Sequence, residues 1–136
     1  METRVQKAVE LHQKGYNCAQ AILSTYADLF GLSEQDAYRI AEGFGTGMGA
    51  MGETCGAVTA AFMLIGLKNS NGKPGDKTTR PETYRQVREL ANAFSDEAGS
   101  ITCRELKGTT GLPVYPCAKC IETAARLFEL HLNSNG

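Results

Sequence analysis

The sequence is short of most features that would point directly to a function. With 14 Lys and Arg against 15 Asp and Glu, its formal net charge is −1. A basic footprint for nucleic acid and a membrane-surface patch are therefore not expected. The longest uncharged apolar run, Ala57 to Leu67, is about half of the roughly 20 residues that a membrane helix needs, so it is expected to be a buried core helix. The opening "METRVQKAVELHQKGYNCAQ" is charged throughout and has no apolar signal core. No secretory signal is expected, and the expected location is cytoplasmic. H-E-x-x-H, G-x-S-x-G and repeated acidic pairs are missing, which removes the familiar hydrolytic arrangements. The two histidines, His12 and His131, fall near predicted helix C-termini, where a cation is favoured, and are read as surface residues. Strand signals are lacking as well, since "LPVY" is short and broken by Pro113. No internal repeat and no low-complexity tail are present.

What remains is helical periodicity. The 136 residues form one expected domain, 1–136, long enough to bury a core without staples. The spacing predicts a first helix opened by Thr3 and closed at Gly15. Asn17 caps a second, "CAQAILSTYADLF", ended by Gly31. Ser33, with Asp36 three residues on, opens a third in a capping-box pattern. The segment "ETCGAVTAAFMLIGLKN" reads as a helix apolar almost all round, hence central. After the polar loop "NSNGKPGDKTT", Pro81 suits the first turn of a long helix with Tyr84, Val87, Ala91, Phe94 and Ala98 on one face. A short "CRELKG" turn, a loop "TTGLPVY" and a helix from Pro116 to about Leu132 complete the chain. The expected fold is all-α, a bundle of five to six helices with a glycine-rich loop before the central one.

Five cysteines stand out: Cys18, Cys55, Cys103, Cys117 and Cys120. The odd count and the expected compartment argue against a structural disulfide framework. On the helix map, Cys18 follows Asn17, Cys55 follows Thr54, Cys103 follows Thr102 in a Thr-x-x-Glu box, and Cys117 follows Pro116. Four cysteines thus fall in the first turns of four helices, where free N–H groups and the helix dipole stabilise a thiolate. Ordinary buried cysteines are the competing reading. Cys120 lies one turn further in, making a C-x-x-C with Cys117; this is a thiol-redox spacing without its usual βαβ setting. No second C-x-x-C pairs with it to make a structural zinc knuckle.

The stretch "GFGTGMGAMGETCGAV", Gly43 to Val58, contains six glycines and spells G-x-G-x-x-G at Gly47 to Gly52. A dinucleotide fingerprint requires a preceding strand and an acidic residue about 20 positions on, and both are missing. No Gly-Lys-Ser/Thr closes a P-loop. The glycines are instead expected to let backbone fold closely around sulfur or a bound group. Gly45, Gly47, Gly49, Gly52 and Gly56 are the expected cofactor-contacting positions. Glu53 is read as a first-turn carboxylate.

The motifs "GYNCAQAIL", "GFGTGMGAMGETCGAVTAAFMLIGLK", "CRELKG" and "CAKCIETAARLFE" resemble the C_GCAxxG_C_C family of small bacterial and archaeal proteins, over most of the chain. That family is called redox-active largely from its cysteines. The resemblance places its cysteines at Cys18, Cys55, Cys103 and Cys117, the last chosen over Cys120 from its distance to Ala124 and Ala125. Ala60 stands where the signature ends in glycine, and Cys120 looks like an addition, a further ligand or a resolving thiol.

Three functions follow as expectations. The first is an iron–sulfur cluster or other metal held by Cys18, Cys55, Cys103 and Cys117 for electron transfer, with zinc less typical. The second is a cluster-free thiol–disulfide oxidoreductase using the five thiols as its catalytic groups. The third is a non-enzymatic redox sensor or helical interaction module. The expected partner is a redox protein or a small thiol, with neither nucleic acid nor membrane. Phe128 and Leu132, read as exposed, permit a homodimer.

Overall fold

The computed structural model describes residues 1–108 and 114–135. Most of the expected "TTGLPVY" loop lies outside the described residues. Among those described there are seven α-helices and no strand: α1 (Val5–Gln13), α2 (Cys18–Tyr26), α3 (Glu34–Ala41), α4 (Gly56–Asn69), α5 (Arg80–Ala98), α6 (Cys103–Lys107) and α7 (Cys117–Asn135). The nearest approach to a strand is a single bridge between Thr54 and Thr102. The helix count exceeds the expected five to six because "CRELKG" forms a short helix of its own, and the chain bends between α2 and α3. That bend is a 3-10 turn, Ala27–Phe30, stopped by Gly31 in the left-handed region (φ 78°).

Local signals explain most boundaries. Asn17 Oδ1 accepts from the Gln20 amide at 2.9 Å, and Gln20 Oε1 accepts from the Asn17 amide at 3.0 Å, a complete capping box. Ser33 Oγ accepts from the Asp36 amide at 3.1 Å, and Asp36 turns instead to Arg39 at 3.7 Å. Pro81 occupies the first turn of α5, where its missing N–H costs nothing.

The core is shared by two helices rather than one. Every residue of α2 is buried, and α2 packs most extensively on α4, whose Val58, Ala61, Leu64 and Ile65 are buried. Both helices bury several alanines (Ala19 and Ala21 on α2; Ala57, Ala60 and Ala61 on α4), and Gly56 lies close against Ala19. Around the pair, α7 contributes Ile121, Ala125 and Phe128, and α5 contributes Leu90 and Phe94. Tyr26 and Phe128 meet edge-to-face, with centroids 5.2 Å apart.

Several expected faces are displaced. Phe94 is buried as expected, with Val87 and Ala98 partly buried against the core, whereas Tyr84 is exposed and Gln86 and Leu90, outside the expected face, are buried. Phe128 is fully buried and so is unavailable to a dimer surface. His131 is buried beside Phe128 rather than on the surface, and burial holds its pKa below the ordinary value. No described helix is long and apolar enough to cross a membrane.

Candidate thiol site

The cysteines occupy helix starts, with one refinement. Cys18, Cys103 and Cys117 are the first residues of α2, α6 and α7, whereas Cys55 is the N-cap of α4, one position before the helix. Glu53 therefore lies outside the helix, where it pairs with Arg104 at 3.6 Å. The expected Thr-x-x-Glu box at Thr102 does not form. Backbone replaces it: Cys103 N–H donates to Glu53 O at 2.6 Å, and Arg104 N–H donates to Gly52 O at 3.1 Å. The start of α6 is thus satisfied by the end of the glycine loop.

That loop has an unusual backbone. Five consecutive residues, Thr46 to Ala50, have positive φ (51°, 73°, 66°, 62° and 63°), making a left-handed turn. Three of them are not glycine, and each costs about 1–2 kcal/mol in this conformation. Cross-loop bonds offset the cost, among them Glu53 N–H to Gly47 O at 3.0 Å and Cys55 N–H to Ile101 O at 2.7 Å. The glycines serve close approach of protein to protein. A Cβ on Gly47 would lie 2.7 Å from Cys103 Cβ and from Glu53 N. A Cβ on Gly56 would lie 2.8 Å from Phe44 O and 3.1 Å from Ala19 N. One on Gly45 would strike Asn17 Nδ2 at 2.5 Å. The starts of α2, α4 and α6 can converge only because these positions have no side chain.

All five cysteines line one largely enclosed cavity of about 30 Å³, room for a water-sized molecule. Leu106, Lys107 and Tyr115 complete the wall together with loop backbone at Thr46 and Gly47. Of the five glycines expected at a cofactor, Gly47 and Gly56 line the cavity and Gly45, Gly49 and Gly52 do not. A wider groove of about 180 Å³ at Leu90 and His131 contains no cysteine. All five cysteines are free. Four are buried and Cys117 is exposed.

Within the cavity the thiols are not equivalent. The Cys18 thiol donates to the Cys117 sulfur, which holds Cys117 well below its ordinary value, at about 6. Positive charge at His12 and Lys107 adds to this. The same bond, with burial, pushes Cys18 up. Deeper in, Cys120 has two acceptors for its proton, the Cys55 sulfur and Tyr115 O at 3.6 Å. Cys55 is lowered first by that thiol and then by the Val58 and Ala57 amides at the start of α4, although it forms no conventional side-chain cap. Cys120 is raised correspondingly. Cys103 has no thiol partner of this kind, and burial raises it despite nearby Lys107. Electrostatically, then, Cys18 acts chiefly on Cys117 and Cys120 chiefly on Cys55, while Cys103 stands apart. Among the described residues, no group of three or more Cys, His, Asp or Glu is placed to hold a metal ion as the side chains stand.

The family described as "Putative redox-active protein (C_GCAxxG_C_C)" matches residues 16–130. The chain belongs to that family. No curated protein and no solved structure matches it. Redox activity is thus a property of the C_GCAxxG_C_C family as described. The match takes in all five cysteines and begins just before Asn17, whose cap sets Cys18 at the head of α2. Sequence reasoning missed Lys107 and Tyr115, which lie within or beside motifs already singled out. No spacing rule marks a lysine or a backbone carbonyl as a wall of a thiol cavity.

Proposed function

We propose that this protein is a thiol–disulfide redox protein in which Cys117 attacks and Cys18 resolves. The observation that carries this reading is that an exposed cysteine, Cys117, and a buried one, Cys18, line the same small cavity. A disulfide in a partner protein or small molecule meets the Cys117 thiolate, which bonds to one sulfur and expels the other as a thiolate. Cys18 then attacks the Cys117 sulfur, closing a Cys18–Cys117 disulfide and releasing the second substrate thiolate. The substrate gains two electrons, and the two cysteines lose two. Run backwards, the same steps reduce the protein and oxidise a dithiol.

Metal binding is the second reading, and it is favoured by one observation: all five cysteines line the same small cavity. The test separates the two. Protein purified without oxygen is analysed for iron and zinc and for visible absorption. It is then titrated with a mild disulfide oxidant. Colourless, metal-free protein that loses thiols reversibly in pairs supports the dithiol reading. Stoichiometric iron with charge-transfer absorption, or stoichiometric zinc, would replace it with the metal reading.

A further inference from the structure

We propose that the cavity is a two-stage disulfide relay, in which the buried Cys55–Cys120 pair is oxidised by protein-sized and peptide-sized disulfides only through the Cys18–Cys117 pair, whose Cys117 is exposed. This rests on the thiol–disulfide reading above and extends it to the order of events and the class of substrate each pair meets.

Three observations support the ordering. Cys117 is exposed, whereas Cys55 and Cys120 are 4% and 3% exposed. The cavity of about 30 Å³ has no room for a peptide disulfide, so such a substrate cannot reach the deeper pair directly. The two pairs are nevertheless adjacent. Cys117 and Cys120 are one helical turn apart on α7, and the starts of α2 and α4, bearing Cys18 and Cys55, close on each other across Gly56. All four of these cysteines line the same cavity.

Transfer between the pairs needs no outside oxidant. The Cys55 thiolate attacks one sulfur of the Cys18–Cys117 disulfide, forming a mixed disulfide and freeing the other sulfur as a thiolate. Cys120 gives up its proton to that thiolate and attacks the Cys55 sulfur. The products are a Cys55–Cys120 disulfide and the reduced Cys18 and Cys117, ready for a second substrate. Two electrons pass outward and none are lost. Cys103, without a thiol partner, stays reduced. The full capacity of the chain is two disulfides and one free thiol.

The experiment uses the full-length, fully reduced, metal-free protein and oxidised glutathione, with disulfides mapped by mass spectrometry over time. Free thiols are expected to fall from five to one, with Cys18–Cys117 appearing before Cys55–Cys120 and Cys103 free throughout. In Cys117→Ser, formation of the Cys55–Cys120 disulfide by glutathione is expected to slow by about tenfold or more, because the deeper pair has lost its route to a large disulfide. Hydrogen peroxide, small enough for the cavity, is expected to oxidise that pair in the same variant, its two oxygens leaving as water. The relay is overturned if Cys117→Ser forms the deeper disulfide with glutathione at the unsubstituted rate. It is equally overturned if peroxide fails to form it, or if the unsubstituted protein stops after Cys18–Cys117. Should neither oxidant produce any reversible disulfide, the thiol–disulfide reading itself falls.

Discussion

At Cys117, the reactive form of the thiol is present near neutrality because a neighbouring thiol donates to it and two basic side chains lie close. A hydrogen bond to the charged form lowers the pKa, so removing the donor must raise it. Alkylation of Cys117 by iodoacetamide, followed against pH, is expected to turn on at about pH 6. In Cys18→Ala the inflection is expected to move up, toward the ordinary cysteine range, and the rate at pH 7 to fall. An unchanged inflection would mean that His12 and Lys107 alone set the reactivity, and that Cys18 is no partner.

The element that carries most constraint is the left-handed turn at Thr46–Ala50. Its glycine and non-glycine positions are not equivalent, and substitution separates their roles. Gly47→Ala places a methyl 2.7 Å from Cys103 Cβ and from Glu53 N, in a conformation already costly for alanine. A loss of about 2–4 kcal/mol in urea unfolding is expected, because neither neighbour is the far end of a flexible chain. Met48→Gly relieves a positive φ, and a gain of up to about 1 kcal/mol is expected once glycine's own entropy cost is counted. Thermal or urea midpoints for the two variants should move in opposite directions. The presence of a special loop here was legible in "GFGTGMGAMGETCGAV", since so many glycines signal unusual backbone. Its hand was not, because three of the five positive-φ residues carry side chains that ordinarily avoid that region. The helices α2 and α3 were legible from Asn17 and Ser33, whose caps act within three residues. The start of α6 at Cys103 was legible but its cap was misread, because its amides are satisfied by Gly52 and Glu53, about fifty residues away in sequence, which no local pattern encodes.

For the molecule as a whole, all-α architecture followed from the 3.6-residue periodicity alone, while the centre of the bundle did not. The uniformly apolar α4 advertised itself as the core, yet α2 is buried at all nine positions, including Gln20, Ser24 and Thr25. Gln20 and Thr25 are accommodated by bonds, Thr25 Oγ1 to Ala21 O at 2.7 Å and Gln20 Nε2 to Tyr38 O at 3.1 Å, whereas the buried Ser24 Oγ has no hydrogen-bond partner among the described residues. Polar residues with such partners break an apolar pattern without leaving the interior. Convergence of the cysteines was hinted at by their common place at helix starts. Which sulfur faces which depends on how four helices meet, and that is tertiary information.

The segment between α4 and α5 offers a reading of the whole in terms of covalent connectivity. Residues 70–75 are exposed, and Lys77 beside them is a site for trypsin. A cut there leaves Cys18 and Cys55 on one fragment and Cys103, Cys117 and Cys120 on the other. Both pairs in the cavity span the cut. Oxidised protein nicked at this segment is expected to migrate as one species without reductant and as two with it, whereas reduced, alkylated protein gives two in either case. If the nicked, oxidised chain separates without reductant, the cross-links do not run between α7 and the first half of the chain. If it holds together, α7 is the single strut to which that half is riveted, and a backbone break in the middle of the chain no longer divides the molecule.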